Sequence, residues 1–331
     1  MDPIRVPQGM FYNQDCVAGA REHLPDDTVD LIVTDPPYGI RGDQLHNHYN
    51  RNEGYVVDGY IEIPEQEYAA FTGAWIREAE RVLRPGGSIY IVSGYTNLYH
   101  ILHALRGTDL YEVNHIVWRY SFGVYTRRKY VSSHYHVLYY AKPGGERTFN
   151  LESRYGTEER EPDGASLNYQ DREDVWLIPR EYKPNRRKNK NELPMALLVK
   201  MLQYSSNEGD LVCDFFLGGF STAKAALGLN RRVVGFEISE TIFALRAPEM
   251  RHVVPGSLMP TLRTPVRGGP LNRRQAWRPG DIARLASRFA ELRASGKAKK
   301  EIVSILQQEL GRGRWSIEKA LKRCIAAADD P

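Results

Sequence analysis

Residues 33–40, VTDPPYGI, place a carboxylate, two prolines and an aromatic ring at the end of an apolar run. Pro36 and Pro37 have no backbone N–H to give a strand ladder, so the chain must turn there. The turn holds the Asp35 carboxylate close to the Tyr38 ring. Two readings stay open on these residues alone: a strand ending at a stiff turn, or a pocket for chemistry on a flat substrate.

A second constellation lies more than half the chain away. CDFFLGGFSTAKAAL, residues 213–227, sets two glycines between a β-rich run and a helical one. Glycines there let the backbone approach a ligand, and a helix N-terminus offers free N–H groups. Glu237 ends the next apolar run, 23 positions after Asp214. A carboxylate so placed in an open α/β sheet can hold ribose hydroxyls. The pattern is not GxGxxG, and a glycine turn before a helix is often just a turn. No GxxxxGK[ST] phosphate loop is present, which argues against a nucleotide triphosphatase.

The elements around these residues alternate. MFYNQ reads as a short strand, followed by a helix from Asp15 to Leu24, for which Asp15 is a natural N-cap. VDLIVTD (29–35) suits a buried parallel strand. Residues 41–60 are polar and form a loop long enough to serve as a lid. Tyr68, Phe71, Trp75, Ala79 and Val82 share one face of a helix over 66–83, which RPGG stops before the strand SIYIVS (88–93). A helix near 97–106 and aromatic strands near 111–119 and 134–141 follow, then an irregular insertion over about 142–192. A helix over 193–205 and strands at 210–216 and RRVVGF complete a seven-stranded, mostly parallel sheet with helices on both faces. Residues 247–280 read as a Pro-, Gly- and Arg-rich linker, and 281–331 as a basic helical domain.

Hydrophobic content of 42% and charged content of 26% suit a soluble globular chain of 331 residues. No run approaches the 18 or so apolar residues of a membrane span, and MDPIRVPQGM lacks a secretory pattern, so the expected location is cytoplasmic. Cys16, Cys213 and Cys324 fit neither a disulfide framework nor a zinc site, and no metal is expected. From Arg273 onward 14 Lys/Arg face 7 Asp/Glu, a basic tail on a slightly acidic body that points to a polyanion.

Taken in order, DPPY followed by a glycine turn and Glu resembles the β group of DNA amino-methyltransferases. The likeness spans residues 10–245 and includes EAERVLRPGGSIYIV and LPMALLVKMLQYSSNEGDLVCDFFLGG. It implies a Rossmann-like methyltransferase fold with circularly permuted motifs, S-adenosylmethionine as cofactor and double-stranded DNA as partner. By that resemblance Asp35, Pro36, Pro37 and Tyr38 are catalytic, with Asp35 and the Pro36 carbonyl accepting from the target amine and Tyr38 stacking on the flipped base. The cofactor would be held by Asp15, Cys16, Asp35, Asp214, Phe215, Phe216, Leu217, Gly218, Gly219, Ser221, Thr222, Glu237 and Ile238. Asp in the first position of the tetrapeptide favours adenine N6 over cytosine N4. No Cys follows a proline, which disfavours a carbon-5 cytosine enzyme.

Three departures stand out. Phe216 replaces a proline and Phe220 a glycine of the usual cofactor loop; Leu193 takes the place of a lysine; His136 stands where a glutamate is usual. An eroded loop leaves a catalytically inactive DNA-binding relative as the rival reading. Arg127, Arg128 and Lys129, with Arg186, Arg187 and Lys188, have the basic character of phosphate contacts. The helical tail is open to three readings: DNA contact, a homodimer interface, or neither.

Overall fold

The computed structural model describes residues 1–37, 63–120, 127–181, 192–266 and 276–328. Among these, nine strands form one sheet in the order β1 (Ile4–Val6), β2 (Gly9–Tyr12), β9 (Arg232–Phe236), β8 (Leu211–Asp214), β3 (Val29–Thr34), β4 (Leu83–Ser93), β6 (His134–Ala141), β5 (Tyr111–Arg119) and β7 (Val175–Leu177). The expected count of seven is therefore corrected to nine. The two additions, β1 and β7, are three-residue edge strands, too short for alternation of side chains to reveal them. β7 lies within the stretch expected to be an irregular insertion and pairs with β5.

β2, β9, β8, β3 and β4 run parallel to one another, whereas β1 and β6 are antiparallel to their neighbours. Alternation along β3 sends Leu31 and Val33 into one core and Ile32 into the other, and a shift in the β3–β4 register between Val29 and Leu31 lets Val29 join Ile32. Helices α1 (Cys16–His23), α2 (Glu65–Val82) and α3 (Leu98–Arg106) close the first face, with Trp75, Ile76, Ala79 and Val82 fully buried. After a short α4 (Leu167–Asp171), helices α5 (Met195–Ser205), α6 (Ser221–Gly228) and α7 (Glu240–Arg246) close the second. Full burial of each large apolar side chain contributes about 1.5–3 kcal/mol.

RPGG ends α2 but lies inside β4 rather than ahead of it. Gly86 takes φ +78°, and a Cβ there would overlap the Glu146 carbonyl, so glycine lets the strand begin with an irregular turn. Residues 1–154 and 171–264 form one unit; residues 155–170 and 265–331 form another. The second contains α8 (Pro279–Ala294), α9 (Lys299–Leu310) and α10 (Arg314–Ala328) around Leu285, Ile302, Val303, Leu306, Ile317 and Leu321. No helix among the described residues is long and apolar enough to cross a membrane.

Candidate active site

Because five adjacent strands are parallel, their carboxyl ends share one edge of the sheet. β3 leads through α2 to β4 on one side, and β8 leads through α6 to β9 on the other. The gap between the ends of β3 and β8 is thus the topological switch point, where open α/β sheets hold ligands. Asp35, Pro36 and Pro37 follow β3, and residues 215–219 follow β8. Asp15 follows β2, and Glu237 and Ile238 follow β9. The two constellations, far apart in the chain, meet at one edge.

At the β3 end, the buried Thr34 hydroxyl donates to Asp214 Oδ1 at 2.9 Å, tying residues 180 positions apart. Pro36 is buried, and Asp35 and Pro37 are half-buried. The Tyr68 hydroxyl, from α2, donates to the Pro37 carbonyl at 3.0 Å. Tyr68 reads in the sequence only as part of an apolar helix face. Its one available signal is chemical: a buried tyrosine needs a partner for its hydroxyl. Tyr38 lies outside the described residues.

At the β8 end, Asp214 is fully buried and also accepts from the Phe216 N–H at 3.0 Å. Burial pushes its carboxyl up to about 6, against the opposing pull of hydrogen bonds from Phe216, Thr222 and Thr34. Glu237 Oε2 accepts from the Gly218 N–H at 2.8 Å and Oε1 from the Ser239 N–H at 2.7 Å. Burial raises the Glu237 carboxyl as well, with these bonds opposing. A Cβ at Gly219 would stand 2.7 Å from both Cγ and Oε1 of Glu192, so glycine is what admits that side chain. Glu192 Oε1 in turn lies 3.8 Å from Arg246 Nη2. Sequence reasoning missed both, since neither lies within the motifs.

The aromatic departures have physical explanations. Phe220 takes φ +59°, the left-handed conformation that a glycine would adopt without strain. Its fully buried ring packs edge-on against Phe11 at 5.4 Å and near Phe243 at 6.1 Å. Phe216 packs against Phe71 and Trp75 at 5.8 and 5.5 Å. The loop keeps its turn by burying rings. Phe215 and Leu217 are buried, Ser221 opens α6, and Ile238 is 53% exposed. Asp15 Oδ1 caps α1, accepting from the Val17 and Ala18 N–H groups at 3.0 Å each. Cys16 is buried in the core, where desolvation drives its thiol well above the ordinary range.

β6 pairs His136 with Ser93 of β4 and His134 with Arg119 of β5, so the β5–β6 connection leaves the sheet at the same edge. Arg127, Arg128 and Lys129 are exposed there, and Tyr130 is 98% exposed. His136 Nδ1 lies 2.8 Å from His115 Nε2. Burial, then His115 and His134, holds His136 down at about 4, so it is neutral at neutral pH. Arg186, Arg187 and Lys188 lie outside the described residues.

The N6/N4 methyltransferase family, described as DNA methylase, matches residues 29–247. The chain is 30% identical over 229 residues to the type II methyltransferase M.HpaI of Haemophilus parainfluenzae, covering 67% of this chain and 68% of that one. It is 29% identical over 249 residues to the type II methyltransferase M.BamHI of Bacillus amyloliquefaciens, covering 70% of this chain but 54% of that one. In fold it is similar to PvuII DNA methyltransferase (cytosine-N4-specific), with a TM-score of 0.55, 13% identity, and coverage of 78% of this chain and 95% of that one. A switch point carrying an Asp-Pro-Pro turn on one side and a glycine loop on the other fits these likenesses, and the chain belongs to the N6/N4 family of DNA methylases, which take their methyl group from S-adenosylmethionine.

Proposed function

We propose that the chain methylates the exocyclic amine of a base flipped out of double-stranded DNA, adenine N6 in preference to cytosine N4. The observation that carries this reading is the juxtaposition, across the β3–β8 gap, of the Asp35 turn with the Gly218–Gly219 loop. When bound, S-adenosylmethionine supplies a sulfonium methyl, an electrophile that needs a good nucleophile opposite it. An exocyclic amine is a poor one, because its lone pair is delocalised into the ring. Asp35 and the Pro36 carbonyl accept its two N–H bonds, which favours rehybridisation and leaves the lone pair free to attack. This is positioning and electrostatic stabilisation, with no covalent intermediate on the protein. Tyr38 stacks on the flipped ring.

The residues at the edge suit the cofactor. Each Glu237 oxygen takes one backbone N–H, which leaves a second lone pair for a ribose hydroxyl. The Asp15 capping bonds use only Oδ1, so Oδ2 serves the adenine amine. The backbone of residues 215–219, kept in a glycine-type turn by Phe220, wraps the methionine portion; that retained turn favours an active enzyme over an eroded relative. Arg127, Arg128 and Lys129 take DNA phosphates.

Transfer of tritiated methyl groups into mixed-sequence duplex DNA, followed by nucleoside chromatography, tests the reading. The expected product is N6-methyladenosine in its deoxy form. Label in N4-methylcytosine would move the base assignment, and no S-adenosylmethionine binding at high concentration by calorimetry would favour the inactive reading.

A further inference from the structure

The family match ends at residue 247, and α8, α9 and α10 lie beyond it with a core of their own. α9 stops at Gly311, which takes the left-handed φ of +58°, and α10 begins at Arg314. A turn of three residues containing glycine between two helices is the connection used where a second helix is presented to a DNA groove. That turn is fixed from within. Arg312, 5% exposed, donates to the Ala276 carbonyl at 3.1 Å and lies over the Trp277 ring at 4.5 Å. Trp277 Nε1 donates to the Ser316 hydroxyl at 3.0 Å, pinning the start of α10.

Charge is distributed unevenly over the three helices. On α8 and α9, Arg288 pairs with Glu291 and Glu309 at 2.9 Å each, and Glu301 pairs with Lys297 at 2.6 Å. α10 carries Arg314, Lys319, Lys322 and Arg323 against a single acid, Glu318, which pairs with Arg314 at 2.9 Å. Ile317, Ala320 and Leu321 turn inward to the core. Helical geometry places Trp315, Lys319 and Lys322, at i, i+4 and i+7, on the opposite side, with Arg323 flanking them. Trp315 is 72% exposed, with the Lys319 ammonium 4.5 Å over its ring. Among the described residues neither Lys322 nor Arg323 has an ion-pair partner.

We propose that α10 is a second DNA-reading element, which lies in the major groove of duplex DNA with Trp315 and Lys319 towards base edges and Lys322 and Arg323 on phosphates. A helix fits that groove, and an uncompensated cationic face bearing an exposed indole fits a polyanion with stacked bases. The proposal rests on DNA being the substrate. It adds a binding surface outside the catalytic unit, one that raises affinity for DNA without entering the chemistry.

The test uses the full chain and a labelled duplex, with affinity followed against salt by fluorescence anisotropy. In Lys319→Gln/Lys322→Gln/Arg323→Gln the slope of log K against log salt falls by roughly 2, at about 0.9 for each of the two phosphates that are no longer neutralised. Affinity near 0.1 M salt falls on the order of tenfold or more. Trp315→Ala weakens binding with little change of slope. Both variants keep the wild-type melting temperature, S-adenosylmethionine affinity and kcat at saturating DNA, with only the KM for DNA raised. An unchanged slope and affinity in a folded triple variant overturns the proposal and leaves the methylase reading intact. Loss of a dimer in sedimentation at unchanged DNA affinity also overturns it, as does a wild-type preference for single-stranded RNA over the duplex that the triple variant abolishes. A wild-type chain that methylates no DNA, yet loses salt slope in the variant, sinks the methylase reading and supports this one.

Discussion

The two sides of the switch point are stiffened by different means. After β3 the chain is restrained covalently: Pro36 and Pro37 fix two φ angles, and one hydrogen bond from Tyr68 adds to them. After β8 the restraint is spread through space, in the Glu237 bonds to Gly218 and Ser239, the buried Asp214, and the left-handed Phe220 anchored by its ring. A proline turn needs no support from distant residues. A loop that must leave its backbone open to a ligand cannot be filled with prolines, so burial and hydrogen bonds hold it instead.

Asp35→Ala gives the largest effect. On the proposed reading it removes an acceptor that acts in the transition state, so methyl transfer falls on the order of a thousandfold while S-adenosylmethionine binding by calorimetry is retained. A rate near wild type would break the assignment. Phe220 tests the other side. Phe220→Ala loses a fully buried ring and keeps an unfavourable φ, at a cost of about 3–5 kcal/mol in denaturant unfolding. Phe220→Gly loses the same ring but relieves the backbone, so it should be the milder variant by about 1 kcal/mol. The reverse order would show that residue 220 does not keep its left-handed backbone once the ring is gone. Cofactor affinity falls in both, with kcat at saturation less changed than after Asp35→Ala.

Asp214 supplies the pH test. Its folded pKa of about 6 lies above its ordinary value of 3.8, because burial disfavours the charged form. The folded state therefore holds this proton more tightly. The resulting stability is complete below about pH 4 and is lost as pH rises towards 6, an interval of about 3 kcal/mol. Asp214→Asn does not titrate, so the stability of the wild type minus that of the variant should fall by about that much between pH 4 and 6.5. A flat difference would show that the carboxyl is solvated, and that the β8 side is looser than described.

This contrast also explains what was legible in the sequence. The β3 turn announces itself because its restraint is written in adjacent letters, and the glycine pair and Glu237 lie at recognisable offsets. Seven strands show by alternation or apolar runs, whereas β1 and β7 are too short to do so. Residues acting through space stay hidden. Thr34 matters through a partner 180 positions away, and Glu192 through a glycine it approaches from another element. Phe220 reads as a missing glycine until its backbone angle shows that the conformation is kept although the residue is not.

Tyr68 gives the smallest effect and the sharpest comparison, since it is a through-space restraint on the covalently stiffened side. Tyr68→Phe keeps the buried ring and removes the hydroxyl with its bond to the Pro37 carbonyl, a net loss of about 1 kcal/mol. If the prolines alone hold Asp35 in place, that loss appears in denaturant unfolding and kcat is unchanged. If the turn needs its anchor, some of it reaches the transition state, and kcat falls by up to about fivefold with the KM for S-adenosylmethionine unaltered. The difference in kind between the two sides predicts the first outcome: stability should move, and the rate should not.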